Sequence, residues 1–138
     1  MRSILFTLLL ALFTSFTSKH NVNNLKIVRF LTAEKGFQII EFQNSTVTNL
    51  VSNRKPLRIE LYNSKVKSIE KELSLIDFDK LKNEIETMQP IDPKVHPRVY
   101  YEIIQGTDTL RTKEYLLART PNSLKRLDKL LFNYSLGM

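Results

Sequence analysis

The residues of this sequence whose types could support catalysis are two histidines and several closely spaced carboxylates. His96, the only histidine beyond residue 20, lies between prolines in the run Pro93-Lys94-Val95-His96-Pro97. A general base needs a hydrogen-bonding partner and a substrate pocket, and no pattern around His96 predicts either. We therefore interpret His96 as a surface-loop residue, and a small hydrolase that uses His96 is the enzymatic alternative.

The carboxylate pairs have the wrong spacing to share a proton or a metal ion. Asp77 and Asp79, like Glu84 and Glu86, are two residues apart, which places each pair on different faces of a helix. The absence of cysteine excludes a thiolate zinc site, a Cys nucleophile and a disulfide scaffold. We expect no catalysis, no bound metal and no cofactor.

The N-terminus has the pattern of a secretory signal peptide. One positive charge precedes an apolar run at residues 4–13, and a tail of small residues follows. The run is too short for a bilayer, which takes about 20 residues, and no second hydrophobic span follows. We predict a signal peptide at residues 1–17, cleaved near Thr17/Ser18, and a secreted or periplasmic protein. An uncleaved amphipathic anchor is the alternative.

The chain is basic, and this charge bears on the partner it could bind. Its net charge is +7, with acidic residues concentrated in residues 68–97. Recognition of nucleic acid usually interleaves basic residues with aromatic ones, but the densest basic cluster, residues 54–58, contains no aromatic residue. We expect a protein or an anionic glycan as partner rather than a nucleic acid.

Alternation of apolar and polar residues predicts the first strands. Segments 26–31 and 36–42 have strand patterns, whereas residues 43–56 are rich in Asn, Ser and Thr and predict a loop or a frayed edge strand. Residues 57–61 alternate strictly, and we predict that residues 65–69 return as the second strand of a hairpin.

Two helices are predicted from apolar spacing and end signals. The first begins near Asp77 and places Phe78, Leu81, Ile85 and Met88 on one stripe. A proline-rich connector follows it. The second begins with Thr120 as N-cap and Pro121 in the first turn. Its apolar positions are Leu124, Leu127, Leu130, Leu131 and Tyr134.

A second hairpin joins residues 99–105 to residues 110–116 through a turn that contains Gly106. Pairing Gln105 with Leu110 places Glu102 opposite Lys113 and Tyr100 opposite Tyr115, so that charge and aromatic pairs agree. This register predicts a binding surface on the sheet face away from the helices. Its residues are Tyr100, Glu102, Arg111, Lys113 and Tyr115.

Together these elements predict an α+β fold, in which an antiparallel sheet of β-hairpins carries two helices packed on one face. We expect a single domain at residues 18–138, with residues 18–25 disordered. Apolar residues of both helices should share one core with the strands. The predicted core residues are Leu81, Ile85, Leu127, Leu130, Ile59, Leu61, Ile103 and Leu116.

The order of these elements resembles that of small exported bacterial domains of unknown function, and also that of emfourin-type inhibitors of thermolysin-like metalloproteases. The element order is similar over residues 57–134, somewhat more than half of the chain, and the matching segments within it are residues 77–88, 101–106 and 121–131. Glu34-Lys35-Gly36-Phe37 is similar to the inhibitors' Ser-Gly-Gly-Phe stretch, with Lys35 in place of the first glycine. The resemblance implies inhibition of a secreted metalloprotease as an alternative. Our first hypothesis is an exported, non-catalytic binding module.

Overall fold

The computed structural model describes residues 24–138, so the predicted signal peptide lies outside the described residues. This part of the chain forms one sheet and three α-helices. The strands are β1 Leu25–Ala33, β2 Gly36–Gln43, β3 Thr46–Val51, β4 Leu57–Glu60, β5 Arg98–Gln105, β6 Asp108–Arg111 and β7 Tyr115–Leu116. The helices are α1 Asn63–Ser74, α2 Phe78–Glu86 and α3 Lys125–Ser135, with a short 3-10 turn at Leu117–Arg119.

The sheet is antiparallel, and the first four strands form a meander. The strand order is β4-β3-β2-β1-β5-β6, and β7 continues the pairing with β5 where β6 ends. Strand β1 is therefore central, with full pairing to both β2 and β5. The predicted α+β class and the antiparallel sheet are confirmed.

The helices cover one face of the sheet and enclose the hydrophobic core. Side chains from all three helices join the inner side chains of the strands in one buried cluster. Its fully buried members include Ile27, Ile40, Phe42, Val47, Ile69, Leu81, Ile103, Leu127 and Leu131. The longest helix, α1, has 12 residues, and no helix in the described part of the chain could span a bilayer.

The prediction that residues 65–69 form a strand is wrong. These residues belong to α1, which buries Val66, Ile69 and Leu73 at intervals of three and four residues. Within five residues, the sequence pattern fits both a strand and a helix, and only the longer window that reaches Leu73 favours the helix.

Residues 43–56 are also more regular than predicted. They contain β3, which pairs with both β2 and β4 and is neither a loop nor an edge strand. Alternation of apolar and polar residues does not reveal β3, because the polar residue Asn49 occupies an inward position, where it is only 7% exposed.

Helix α2 begins as predicted, whereas α3 begins later than predicted. The Asp77 side chain accepts a hydrogen bond from the Lys80 amide, as expected of an N-cap. Thr120 does not cap α3. Its hydroxyl donates instead to the Leu117 carbonyl at 2.8 Å, and the helix starts at Lys125.

Of the eight predicted core residues, five are buried, Ile59 is half-buried and packs against them, and two lie outside the core. Leu130 and Leu116 are half-buried and lie outside the core, where Leu131 and Tyr115 are fully buried instead. Leu25, placed in the predicted disordered segment, pairs with Gln105 as the first residue of β1 and is buried.

Candidate interaction surface

The turn between β5 and β6 sets the position of every predicted surface residue. It is a two-residue turn that pairs Gln105 with Asp108, whereas we predicted pairing with Leu110. Gly106 has a φ of +61°, which glycine adopts easily and which short hairpin turns require. The strands therefore slip by two residues, and Glu102 faces Arg111 rather than Lys113.

A local interruption after β6 moves Tyr115 to the other face. The Thr112 hydroxyl accepts a hydrogen bond from the Tyr101 amide at 2.9 Å, where a strand would present a carbonyl. Pairing resumes at β7 with Val99 opposite Tyr115. Because a shift by one residue reverses the face, Tyr115 points into the core and is fully buried.

The structure thus brings three of the five predicted residues together. Tyr100, Glu102 and Arg111 lie on the sheet face opposite the helices, whereas Tyr115 is buried beneath the helices. Lys113 lies outside the paired strands, and its ammonium group is 2.9 Å from the carboxylate of Glu86 at the end of α2. The hydrogen bond to Lys113 lowers the pKa of Glu86.

We call the sheet surface opposite the helices the open face. Among residues 24–138, all three helices pack on the opposite face. Strand register assigns the members of the open face on the four central strands and β6. They include Lys26, Val28, Phe30, Ile39, Glu41, Thr48, Leu50, Tyr100, Glu102, Ile104 and Arg111.

A stack of three side chains crosses the open face. The rings of Phe30 and Tyr100 are 4.5 Å apart and nearly parallel, with 13° between their planes. The Arg111 guanidinium lies 4.5 Å from the centre of the Tyr100 ring. Because the strand order is β1-β5-β6, Tyr100 lies between Phe30 and Arg111. Phe30 is not among the predicted surface residues, although its alternating position in β1 could have placed it on this face.

Beside the stack, the open face has a shallow apolar depression of about 310 Å³. Ile39 and Leu50 continue the row of Phe30 and Tyr100 across β2 and β3. Charged residues border this row, and Lys26 and Glu41 form an ion pair at 3.2 Å. The open face therefore combines an apolar centre with both signs of charge.

On the inner face, a buried ion pair joins the sheet to α3. Arg29 is 2% exposed, and its Nε donates to Oδ1 of Asp128 at 2.6 Å. The Tyr101 hydroxyl donates to the same oxygen at 2.5 Å. Burial raises the pKa of Tyr101 well above its ordinary value, and the charge of Asp128 adds to that effect. This network fixes α3 against the sheet by polar contacts.

Tyr115 lies in the same region. Among the described residues, its Oη is buried without a hydrogen bond. Burial, followed by the charge of Asp128, raises its pKa. An unsatisfied buried hydroxyl costs stability, so the Tyr115 side chain stabilises the fold through its ring.

The two segments considered for other functions, the His96 loop and residues 34–37, contain none of the three stack residues. Nδ1 of His96 is 3.4 Å from the Thr32 carbonyl oxygen, and no carboxylate among residues 24–138 pairs with His96. Within residues 24–138, no cluster of three or more Asp, Glu, His or Cys side chains could bind a metal.

The segment compared with the inhibitors forms the turn between β1 and β2. A Cβ on Gly36 would lie 2.2 Å from the Ser52 hydroxyl oxygen, which accepts a hydrogen bond from the Phe37 amide. Phe37 itself is 44% exposed. Gly36 therefore serves the packing of this turn against the end of β3.

A scan against protein-family models finds no match to this chain, and a search of curated proteins finds no match either.

Proposed function

We propose that this protein is an exported, non-catalytic binding module that recognises a protein partner through its open face. The observation that carries the proposal is the stack of Phe30, Tyr100 and Arg111 on a sheet face that no described helix covers. Aromatic residues and arginine are enriched at protein interfaces and among the residues that dominate binding energy.

The charges on the open face favour a protein over an anionic glycan. Glu41 and Glu102 border the apolar centre of this face and would repel a polyanion. A protein surface can instead offer an apolar group to Ile39 and Leu50 and charges of both signs to the border.

The side chains of the stack are also preorganised for binding. Phe30 and Arg111 contact opposite sides of Tyr100 and restrict its side-chain rotation. A side chain that is already ordered loses less conformational entropy when a partner docks. Tyr100 is therefore the residue of the open face that we expect to contribute most to affinity.

Export remains part of the proposal and rests on the signal-peptide pattern of residues 1–17. The partner should then be found among exported or cell-surface proteins of the source organism.

The proposal can be tested by comparative capture. The mature protein is immobilised beside the variants Tyr100→Ala and Arg111→Glu, and each is exposed to the exported proteins of the source organism. Arg126→Glu is the matched control, because Arg126 is an exposed arginine of α3 without an ion pair among the described residues.

The proposal predicts that one protein is retained by the original chain and by Arg126→Glu, and that it is lost from both open-face variants. It also predicts that this protein binds directly when purified. Retention by all four baits, or by none, would contradict it.

A further inference from the structure

A cavity of about 710 Å³ lies on the other side of the molecule, between α3 and the 3-10 turn. Lys125, Asp128, Lys129 and Phe132 supply one wall, since residues spaced by three and four share one side of a helix. Arg29 reaches the cavity from β1. This cavity is separate from the open face, and nothing in the proposed function depends on it.

Arg29 supplies a buried positive charge to the cavity wall. A guanidinium group has five N–H donors. Within residues 24–138, its hydrogen bonds use Nε, which donates to Asp128, and Nη1, which lies 3.5 Å from the Gln38 amide oxygen. Nη2 has no hydrogen bond within that part of the chain, so the Arg29 side chain retains donors that the described residues do not use.

Three further cations line the same cavity. Arg119, Lys125 and Lys129 form no ion pair within the described part of the chain. Asp128 is the only acidic residue in the lining, and it is already bonded to Arg29 and Tyr101. The cavity therefore carries a net positive charge.

The cavity wall also has an apolar part. Leu117 and Phe132 contribute to it, and Phe132 is 41% exposed. An exposed aromatic ring next to a group of cations suits a ligand that has both an anionic group and an apolar or ring-shaped body.

We propose that this cavity binds a small organic anion, with its phosphate or carboxylate group among Arg29, Arg119, Lys125 and Lys129 and its apolar body against Leu117 and Phe132. The cations attract the charged group. The partly enclosed position of Arg29 strengthens that attraction, because solvent screens a buried charge less than an exposed one.

Calorimetric titration with phenyl phosphate as the probe tests this inference, with inorganic phosphate and benzyl alcohol titrated in parallel at low ionic strength. Lys129→Gln removes one cavity cation. Arg126→Gln removes one cation from the same helix outside the cavity lining, so both variants change the net charge equally. Thermal melts check that both variants fold. Arg29 is not substituted, because its ion pair with Asp128 joins the sheet to α3.

We expect saturable binding of phenyl phosphate, weaker binding of inorganic phosphate and none of benzyl alcohol. Lys129→Gln should weaken phenyl phosphate binding by about fivefold or more, as loss of a charged hydrogen bond would, whereas Arg126→Gln should change it by less than about twofold. No saturable binding of phenyl phosphate, or equal losses in the two variants, would overturn the proposal.

Discussion

Arg29, Asp128 and Tyr101 form a connected polar group at the boundary between the sheet and α3. Nε of Arg29 and the Tyr101 hydroxyl both donate to one carboxylate oxygen of Asp128. Neighbouring polar contacts continue along the sheet, where the Gln38 amide donates to Asn49 at 3.1 Å. Such groups give the inner face a specific arrangement in addition to its apolar packing.

We predict that Asp128→Ala destabilises the protein by about 3–5 kcal/mol, because it leaves the Arg29 charge buried without its partner. The double variant Arg29→Met with Asp128→Ala should recover a large part of that loss, because it removes both charges. Urea unfolding of the two single variants and the double variant measures the coupling. Additive losses would show that the two residues do not stabilise each other.

We predict that stability falls with alkaline pH because two buried tyrosines keep their protons in the fold. Below a pH of about 10, tyrosine is neutral in both folded and unfolded chains and contributes no pH dependence. Above it, unfolded tyrosines lose protons while Tyr101 and Tyr115, whose pKa values are raised, retain theirs. Unfolding then releases protons, so rising pH favours it.

The substitution Tyr115→Phe tests the contribution of one of these two tyrosines. We expect it to leave stability at neutral pH unchanged or raise it by about 1 kcal/mol, because it removes a buried hydroxyl that has no hydrogen bond among the described residues. We also expect it to make the alkaline loss less steep in urea unfolding across this pH range. Tyr62→Phe is the control, since Tyr62 is 80% exposed. If Tyr115→Phe loses stability at alkaline pH as steeply as the original chain does, the raised pKa of Tyr115 does not contribute to that loss.

At the scale of elements, apolar period predicted helix α2 and strands β1 and β2, although β1 also has the inward, buried Arg29. Strand β3 was missed because it is rich in Thr and Asn, and its inward Asn49 bonds to Ser135 of α3, a contact between residues far apart in the sequence. No local pattern identifies a polar residue as buried when its partner comes from a distant element.

The sequence could predict which residues of the hairpin of β5 and β6 share a face, but not which residues pair across it. A slip of two residues keeps each side chain on its face, so Tyr100, Glu102 and Arg111 remain together although their pairing changes. The extra shift of one residue at Thr112 depends on a side-chain hydrogen bond to the backbone. Alternation could not reveal it, and the placement of Tyr115 on the open face was therefore wrong.

We predict that Leu127→Ala reduces stability by about 2–5 kcal/mol, the usual cost of emptying a well-packed leucine site. Leu127 is 1% exposed within the core. Leu130→Ala, on the half-buried side of the same helix, should cost clearly less. Thermal or urea unfolding compares the two variants. Equal, small losses would mean that α3 contributes little to the core.

For the whole molecule, we propose that the inner face of the sheet stabilises the fold and that the open face recognises a partner. The inner face contains the core and the Arg29 ion pair, whereas the open face has an aromatic stack without a helix over it among the described residues. The sequence could predict that helices cover one face of the sheet, because the apolar periodicities of helices and of strands are both visible in it. It could not predict the row of Ile39 and Leu50 beside the stack, since that row depends on the order of the strands.

We predict that the exported protein begins near Ser18, as cleavage after residues 1–17 requires. N-terminal sequencing of protein recovered outside the cytoplasm measures this. A first residue of Met1, together with retention in membranes after a carbonate wash, would favour the alternative of an uncleaved anchor.

The affinity of the isolated partner for Tyr100→Ala tests the central claim most directly. Loss of an aromatic side chain that dominates binding costs 2 kcal/mol or more, so we predict a Kd at least about 30-fold weaker than that of the original chain. Arg126→Glu should retain its Kd within about twofold, and the thermal melt of Tyr100→Ala should show a folded protein. A Kd for Tyr100→Ala equal to that of the original chain would contradict recognition through the open face.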